Sequence, residues 1–224
     1  LIEQCAGTVK RTSMELGGNA PFIVFDDADL AEAVKGAIVS KFRNAGQTCV
    51  CTNRLLVQET VYDEFVQLFQ KAVAELTIGD GFDEGISIGP LIDAGAAADV
   101  RGFIDDAIAK GATSIADQTI TEGMPETFVA PVILTGATPD MRVFSDEIFG
   151  PVAPVFSFKD ESEAIALAND TTVGLACYFY TRDIGRIWRV AEALEYGIVG
   201  INEGLISNPM APFGGVKESG QGRE

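Results

Sequence analysis

Apolar and polar positions along this chain repeat with two periods. After Asp29 the apolar side chains Leu30, Val34, Ala37, Ile38 and Phe42 recur at helical spacing, and Glu32 completes a capping-box signature at the start. A strand-like Leu55-Leu56-Val57 leads into a second helical stripe of Val61, Phe65, Leu68, Phe69, Ala72, Val73 and Leu76, ended by the glycine-rich Ile78-Gly79-Asp80-Gly81. A third helix is predicted over about 93–110, with Val100, Phe103, Ile104, Ala107 and Ile108 on its apolar face. Strands are predicted near Ser114-Ile115-Ala116 and over 129–134, 152–158, 175–181 and 198–202, with helices starting near Asp160 and Asp183. Strands alternating with helices predict an α/β fold, a largely parallel sheet flanked by helices on both faces.

Composition narrows the class. The 224 residues, 47% of them hydrophobic, suffice for one substantial core. No apolar run approaches the roughly 20 residues that span a bilayer, and Leu1-Ile2-Glu3-Gln4 has no basic start with an apolar stretch behind it, so neither membrane insertion nor secretion is expected. With 16 basic against 33 acidic residues, a net charge of -17, nucleic acid is a poor partner. Cys5, Cys49, Cys51 and Cys177 resemble neither a disulfide framework nor a zinc site, so reduced thiols, no bound metal and a cytoplasmic location are expected. The sequence contains no histidine, which excludes Ser-His-Asp and Cys-His machinery and leaves Glu, Asp, Lys or Tyr as the base. The first residue is not methionine, and the chain is expected to be part of a longer protein.

Candidate chemistry gathers in two segments. Phe42-Arg43-Asn44-Ala45-Gly46-Gln47-Thr48-Cys49 sets a cysteine in a turn-rich loop just past the first helix, and Met14-Glu15-Leu16-Gly17-Gly18 sets a carboxylate beside two glycines. Free cysteine is often a plain core residue and Glu15 alone reads as a solvated carboxylate. The loop context favours a nucleophile at Cys49, whose own backbone N–H can face an oxyanion, and the glycines favour a base held at a cleft. A reversible Cys49–Cys51 disulfide is a further expectation from spacing, checked by counting free thiols after mild peroxide. In Asp146-Glu147-Ile148-Phe149-Gly150-Pro151, Glu147 suits a ribose diol and Phe149 a flat heterocycle, or the segment is only a turn with one core ring. The segment 211–217, with Pro212, Phe213 and paired glycines, suits a pocket wall or a surface turn.

Taken together, MELGGNAP, FRNAGQTC, EIFGPV and PFGGVKESG, in this order and at this spacing, resemble the aldehyde dehydrogenase superfamily, and the resemblance covers essentially the whole chain. It implies Cys49 as nucleophile, Glu15 as base for thioester hydrolysis, and Glu147 and Phe149, with Leu16 and Gly17, as contacts to the nicotinamide half of NAD or NADP. FRNAGQTCVCTNR and EYGIVGIN followed by Leu205-Ile206-Ser207-Asn208 are most similar to the succinate-semialdehyde dehydrogenase branch. That likeness implies that Arg43 and Ser207 hold a substrate carboxylate and that Phe213 lines the substrate tunnel; Arg suits this because it grips carboxylate bidentately. On the same likeness, residues 1–17 are a remnant of a coenzyme-binding domain, 18–217 the catalytic domain and 218–224 a truncated return segment. The dinucleotide domain with its oxyanion-hole asparagine would precede Leu1, the chain alone would be inactive, and the full-length form would be a homo-oligomer. The implied substrate is a small aldehyde bearing a carboxylate. Two rivals stand beside it: a noncatalytic assembly domain, and a thiol redox module using Cys49 and Cys51.

Overall fold

The computed structural model describes residues 1–115, 120 and 122–224. Two strands, β1 (Ala20–Val24) and β2 (Thr52–Gln58), have every side chain buried, as expected where helices cover both faces of a parallel sheet. With β3 (Thr113–Ile115), β4 (Val132–Thr135), β5 (Val152–Phe158), β6 (Ala176–Tyr180) and β7 (Ile198–Ile201) they form a seven-stranded sheet in the order β3-β4-β5-β2-β1-β6-β7. Every neighbouring pair is parallel except β3 with β4. The α/β fold and the strands near 114, 132, 152, 176 and 198 match the sequence pattern; Ala116 lies outside the described residues.

The interior strand β1 is the element that periodicity did not mark. Its residues read as a continuous apolar run with Pro21 inside, and proline cannot donate to a ladder. The ladder accommodates it with a bulge: Ala20 faces Thr52 and Pro21 faces Arg54, so Asn53 is an extra residue on β2.

The helices start where aspartates cap them. Asp29 accepts from the Glu32 N–H at 3.2 Å to open α1 (Leu30–Phe42), while the Glu32 side chain turns instead to Lys35. After α2 (Tyr62–Ala74), Asp93, Asp160 and Asp183 cap α3 (Ala94–Ala109), α4 (Glu161–Asn169) and α5 (Ile184–Ala193) in the same way. Stacking of Phe42 on Phe69, centroids 6.0 Å apart, fastens α1 to α2. Among the described residues no helix is long and apolar enough to cross a membrane.

Two short ribbons tie distant segments to the sheet. Met14–Glu15 pairs antiparallel with Gly220–Gln221, and Val173–Gly174 with Val216–Lys217. Glu15 therefore arrives just before β1, Cys49 just before β2 and Glu147 just before β5. Since β5, β2 and β1 are adjacent and parallel, all three residues belong to the same, amino-terminal end of the sheet.

Candidate active site

The loop that carries Cys49 is a left-handed run. Asn44, Ala45 and Gly46 have φ of 52°, 55° and 80°, a region costly for side-chain-bearing residues and concentrated at functional loops. The gain is a sharp reversal after α1, fixed by reciprocal bonds: Asn44 Nδ2 donates to the Gln47 carbonyl at 3.1 Å and Gln47 Nε2 to the Asn44 carbonyl at 3.0 Å. Gln47 Oε1 also accepts the Ile92 N–H at 2.9 Å, stapling the loop to the entry of α3. At Gly46 a Cβ would strike the Gly150 carbonyl, so the Cys49 and Glu147 loops touch backbone to backbone.

Cys49 is half-buried, and its thiol is pushed up to about 11, first by burial, then by the charge of Glu15 and the hydrogen bond to it, with a smaller push from Glu147. Its own backbone N–H, turned toward the sulfur, acts in the opposite direction. The Glu15 carboxylate thus faces this thiol although 34 residues separate them. Leu16 N–H donates to the Ser219 carbonyl at 3.0 Å and the Ser219 hydroxyl to the Gly17 carbonyl at 2.7 Å, which anchors the strand that presents Glu15.

Glu147 completes the cluster. Its Oε1 accepts the Gly18 N–H at 2.9 Å, and a Cβ at Gly17 would lie 2.7 Å from Oε2, so glycine lets the carboxylate lie against the backbone. A Cβ at Gly18 would lie 2.5 Å from the Cys49 carbonyl oxygen, which brings the second glycine against the cysteine itself. Burial raises the Glu147 carboxyl, the Gly18 bond opposes this, and Glu15 raises it further. Phe149, at φ 50°, leaves its ring 43% exposed at the rim of a cleft of about 290 Å³ that Glu147, Gln47, Phe103 and Arg142 also line.

The remaining predicted residues are placed less tightly. Arg43 is half-buried at the end of α1, and its Nε is buried without a partner among the described residues. Leu16 is 53% exposed, in a separate groove with Met14 and Ile2. Ser207 is exposed on the loop after β7; its neighbour Ile206 lies toward Tyr178, since a Cβ at Gly200 would be 2.8 Å from Ile206 Cγ2 and 2.9 Å from Tyr178 Cδ1. Tyr178 donates to the Val50 carbonyl at 2.7 Å, directly beside Cys49. Phe213 is half-buried, its amide donating to the Glu224 carbonyl at 2.9 Å. All four cysteines are free: the Cys51 sulfur lies 2.9 Å from the Thr48 hydroxyl and donates to the Arg43 carbonyl at 3.7 Å, while Cys177 is fully buried in β6.

Three polar residues that the sequence pattern did not single out are also buried here. Asn19 and Asn53 are 1% and 4% exposed, and Lys41, on the last turn of α1, is 1% exposed with Cys51 and Glu147 as neighbours. The signal was present: Asn53 and Arg54 interrupt the apolar strand β2, and a polar residue in a fully buried strand needs a partner.

The model of the aldehyde dehydrogenase family matches residues 1–224. Over all 224 residues the chain is 59% identical to the NADP(+) succinate-semialdehyde dehydrogenase GabD of Escherichia coli (strain K12) and 58% identical to a glutarate-semialdehyde dehydrogenase of Pseudomonas putida KT2440, covering 46% of each. The crystal structure of succinate-semialdehyde dehydrogenase from Burkholderia pseudomallei superposes with a TM-score of 0.95 at 57% identity, over 99% of this chain and 46% of that one. The chain thus spans about half the length of the relatives it matches. With a thiol, a facing carboxylate and a second carboxylate gathered at one end of a sheet that these proteins share along its whole extent, the chain belongs to the aldehyde dehydrogenase family.

Proposed function

We propose that this chain is the thiol-bearing part of an NAD(P)-dependent semialdehyde dehydrogenase, which oxidises a small aldehyde bearing a carboxylate, succinate semialdehyde foremost, to the acid through a thioester on Cys49. The observation that carries this reading is the Cys49 thiol held under the Glu15 carboxylate in a loop whose backbone is strained to present it. Because the thiol is raised to about 11, only about one molecule in ten thousand carries a thiolate at pH 7, and the facing carboxylate is what can take the proton as sulfur adds to the aldehyde carbon. The Cys49 N–H, turned toward the sulfur, is the donor we assign to the oxyanion that forms beside it. Once that proton has passed to solvent, the same carboxylate takes a proton from the water that attacks the thioester and returns it to the departing sulfur, which leaves as the thiol. The cleft lined by Glu147 and Phe149 supports a nicotinamide-ribose site, with a carboxylate for the diol and an exposed ring for the base, and Gly17 lies against the Glu147 carboxylate. When bound, the dinucleotide supplies the acceptor for the hydride.

The carboxylate end of the substrate suits Arg43, whose buried Nε lacks a partner among the described residues, and Ser207 and Phe213 belong to the same proposed pocket wall. Relatives named for succinate and glutarate semialdehydes differ in substrate by one methylene, and both substrates end in a carboxylate. Two substitutions test the reading in a chain of the relatives' length. Cys49→Ala should abolish aldehyde oxidation with NAD(P)+; retained turnover would refute the assignment. Arg43→Ala should raise KM for succinate semialdehyde about 10- to 100-fold relative to a neutral aldehyde, the loss expected for one charge-assisted contact. An unchanged ratio would place the carboxylate contact elsewhere.

A further inference from the structure

The Glu147 carboxylate accepts the Gly18 N–H, and the peptide groups on both sides of it are held by buried amides. Asn53, the extra residue of the β2 bulge, accepts the Ile148 N–H at 2.9 Å through Oδ1 and donates Nδ2 to the Asp146 carbonyl at 2.9 Å. The same Nδ2 donates to Asn19 Oδ1 at 2.7 Å, and Asn19 Nδ2 donates to the carbonyls of Phe144 and Ser145 at 2.9 and 3.3 Å. The Asn19 carbonyl in turn accepts from Arg54 at 3.1 Å. Two side chains, both nearly inaccessible to water, therefore bond the main chain at residues 144, 145, 146 and 148, on both sides of Glu147.

We propose that Asn19 and Asn53 form an amide latch that positions Glu147, and with it Phe149, for the cofactor ribose. This rests on the reading of Glu147 given under Proposed function. The latch acts through geometry alone. An asparagine amide offers an acceptor and two donors on one rigid plane, which matches the alternating N–H and C=O of an irregular backbone segment. The bulge serves to aim it: were β2 regular, residue 53 would take its place opposite β1 in the ladder, whereas the extra residue frees its side chain to reach the 144–148 segment. Since Asn19 follows Gly18 directly, one two-residue step carries both the donor to Glu147 and the acceptor that orients Asn53. Buried and fully satisfied, such a network has few alternative arrangements, so the carboxylate is held in place before any ligand arrives.

The variant Asn53→Ala removes the latch, and Asn53→Asp keeps its shape and its acceptor while losing both donor bonds. Hydrogen exchange on the 224-residue chain supplies the first readout. In Asn53→Ala the Gly18 amide should exchange at least tenfold faster, because its acceptor is no longer held, while Ile23 in the centre of β1 keeps its protection. Unchanged protection at Gly18 would overturn the proposal. Where Asn53→Ala does not fold, Asn53→Asp is read in the same way. In a chain of the relatives' length, either variant should raise KM for NAD(P)+ about tenfold, with KM for the aldehyde and the alkylation rate of Cys49 within about twofold. A tenfold change in all three would mark a merely structural role and overturn the proposal. Glu147→Gln separates the two levels. If it leaves KM for NAD(P)+ unchanged, the reading of Glu147 fails; if it raises KM while the Asn53 variants do not, only the latch fails.

Discussion

Lys41 shows how much a single buried group can cost near a reactive centre. Complete burial lowers its ammonium to about 8, a pull that Cys51 and Glu147 only partly oppose. A folded value about two and a half units below the usual lysine value costs on the order of 3 kcal/mol while the amine is charged in both states. The unfolded chain binds the extra proton between the two values, so stability should rise with pH from about 8 to 10.5 and be flat, at its lowest, below 8. Lys41→Met, similar in length and apolar, should therefore raise the urea midpoint at pH 7 and abolish that rise. A variant less stable than the parent at pH 7 would show that the ammonium is repaid by contacts beyond those two neighbours. Nothing in the sequence flagged this residue, because Lys41 occupies a position on α1 where periodicity alone allows either an inward or an outward side chain.

Among the elements, the loop after α1 has the strictest demands. Gly46 sits at φ 80° with the Gly150 carbonyl where a Cβ would go, so Gly46→Ala meets both backbone strain and a collision with main chain that cannot swing away. The expected loss is about 2 kcal/mol or more, together with slower alkylation of Cys49 as the loop shifts; chemical denaturation followed by thiol labelling measures both. An unaltered midpoint would mean that the two loops are not in contact in solution. The aspartate caps of four helices and six of the seven sheet strands were legible because capping and periodicity are local. Strand β1 was not, because a buried interior strand is apolar on both faces and its proline is tolerated only through a bulge formed with a partner 32 residues away. The left-handed turn at Asn44 and Ala45 escaped for a similar reason: neither residue type demands it, and the packing of Gly46 on Gly150 imposes it.

On the level of the whole molecule, the site lies at the amino ends of β1, β2 and β5, whereas ligands of open α/β sheets usually gather beyond the carboxyl ends of the strands. At that opposite edge the chain instead builds an ion cluster, in which Arg186 bridges Asp26, Asp27 and Glu161. Fold topology alone would thus have pointed to the end of the sheet opposite the Cys49, Glu15 and Glu147 cluster. The motif residues Cys49, Glu15 and Glu147 could be named from sequence, but that they converge depends on the order β5-β2-β1 and on the ribbon between Met14–Glu15 and Gly220–Gln221, neither of which a local pattern encodes. The amide network at Asn19 and Asn53 is likewise a product of the bulge. What remains to be measured is whether the thiol feels the carboxylate in solution. Iodoacetamide alkylation of Cys49, followed by peptide mass spectrometry from pH 7 to 10, should accelerate about tenfold per pH unit without levelling, as a thiol raised to about 11 requires, and Glu15→Gln should speed the reaction at pH 8 several-fold by removing the charge that holds the proton on sulfur. Superimposable profiles for the two proteins would contradict the pairing of Cys49 with Glu15, and the thioester chemistry with it.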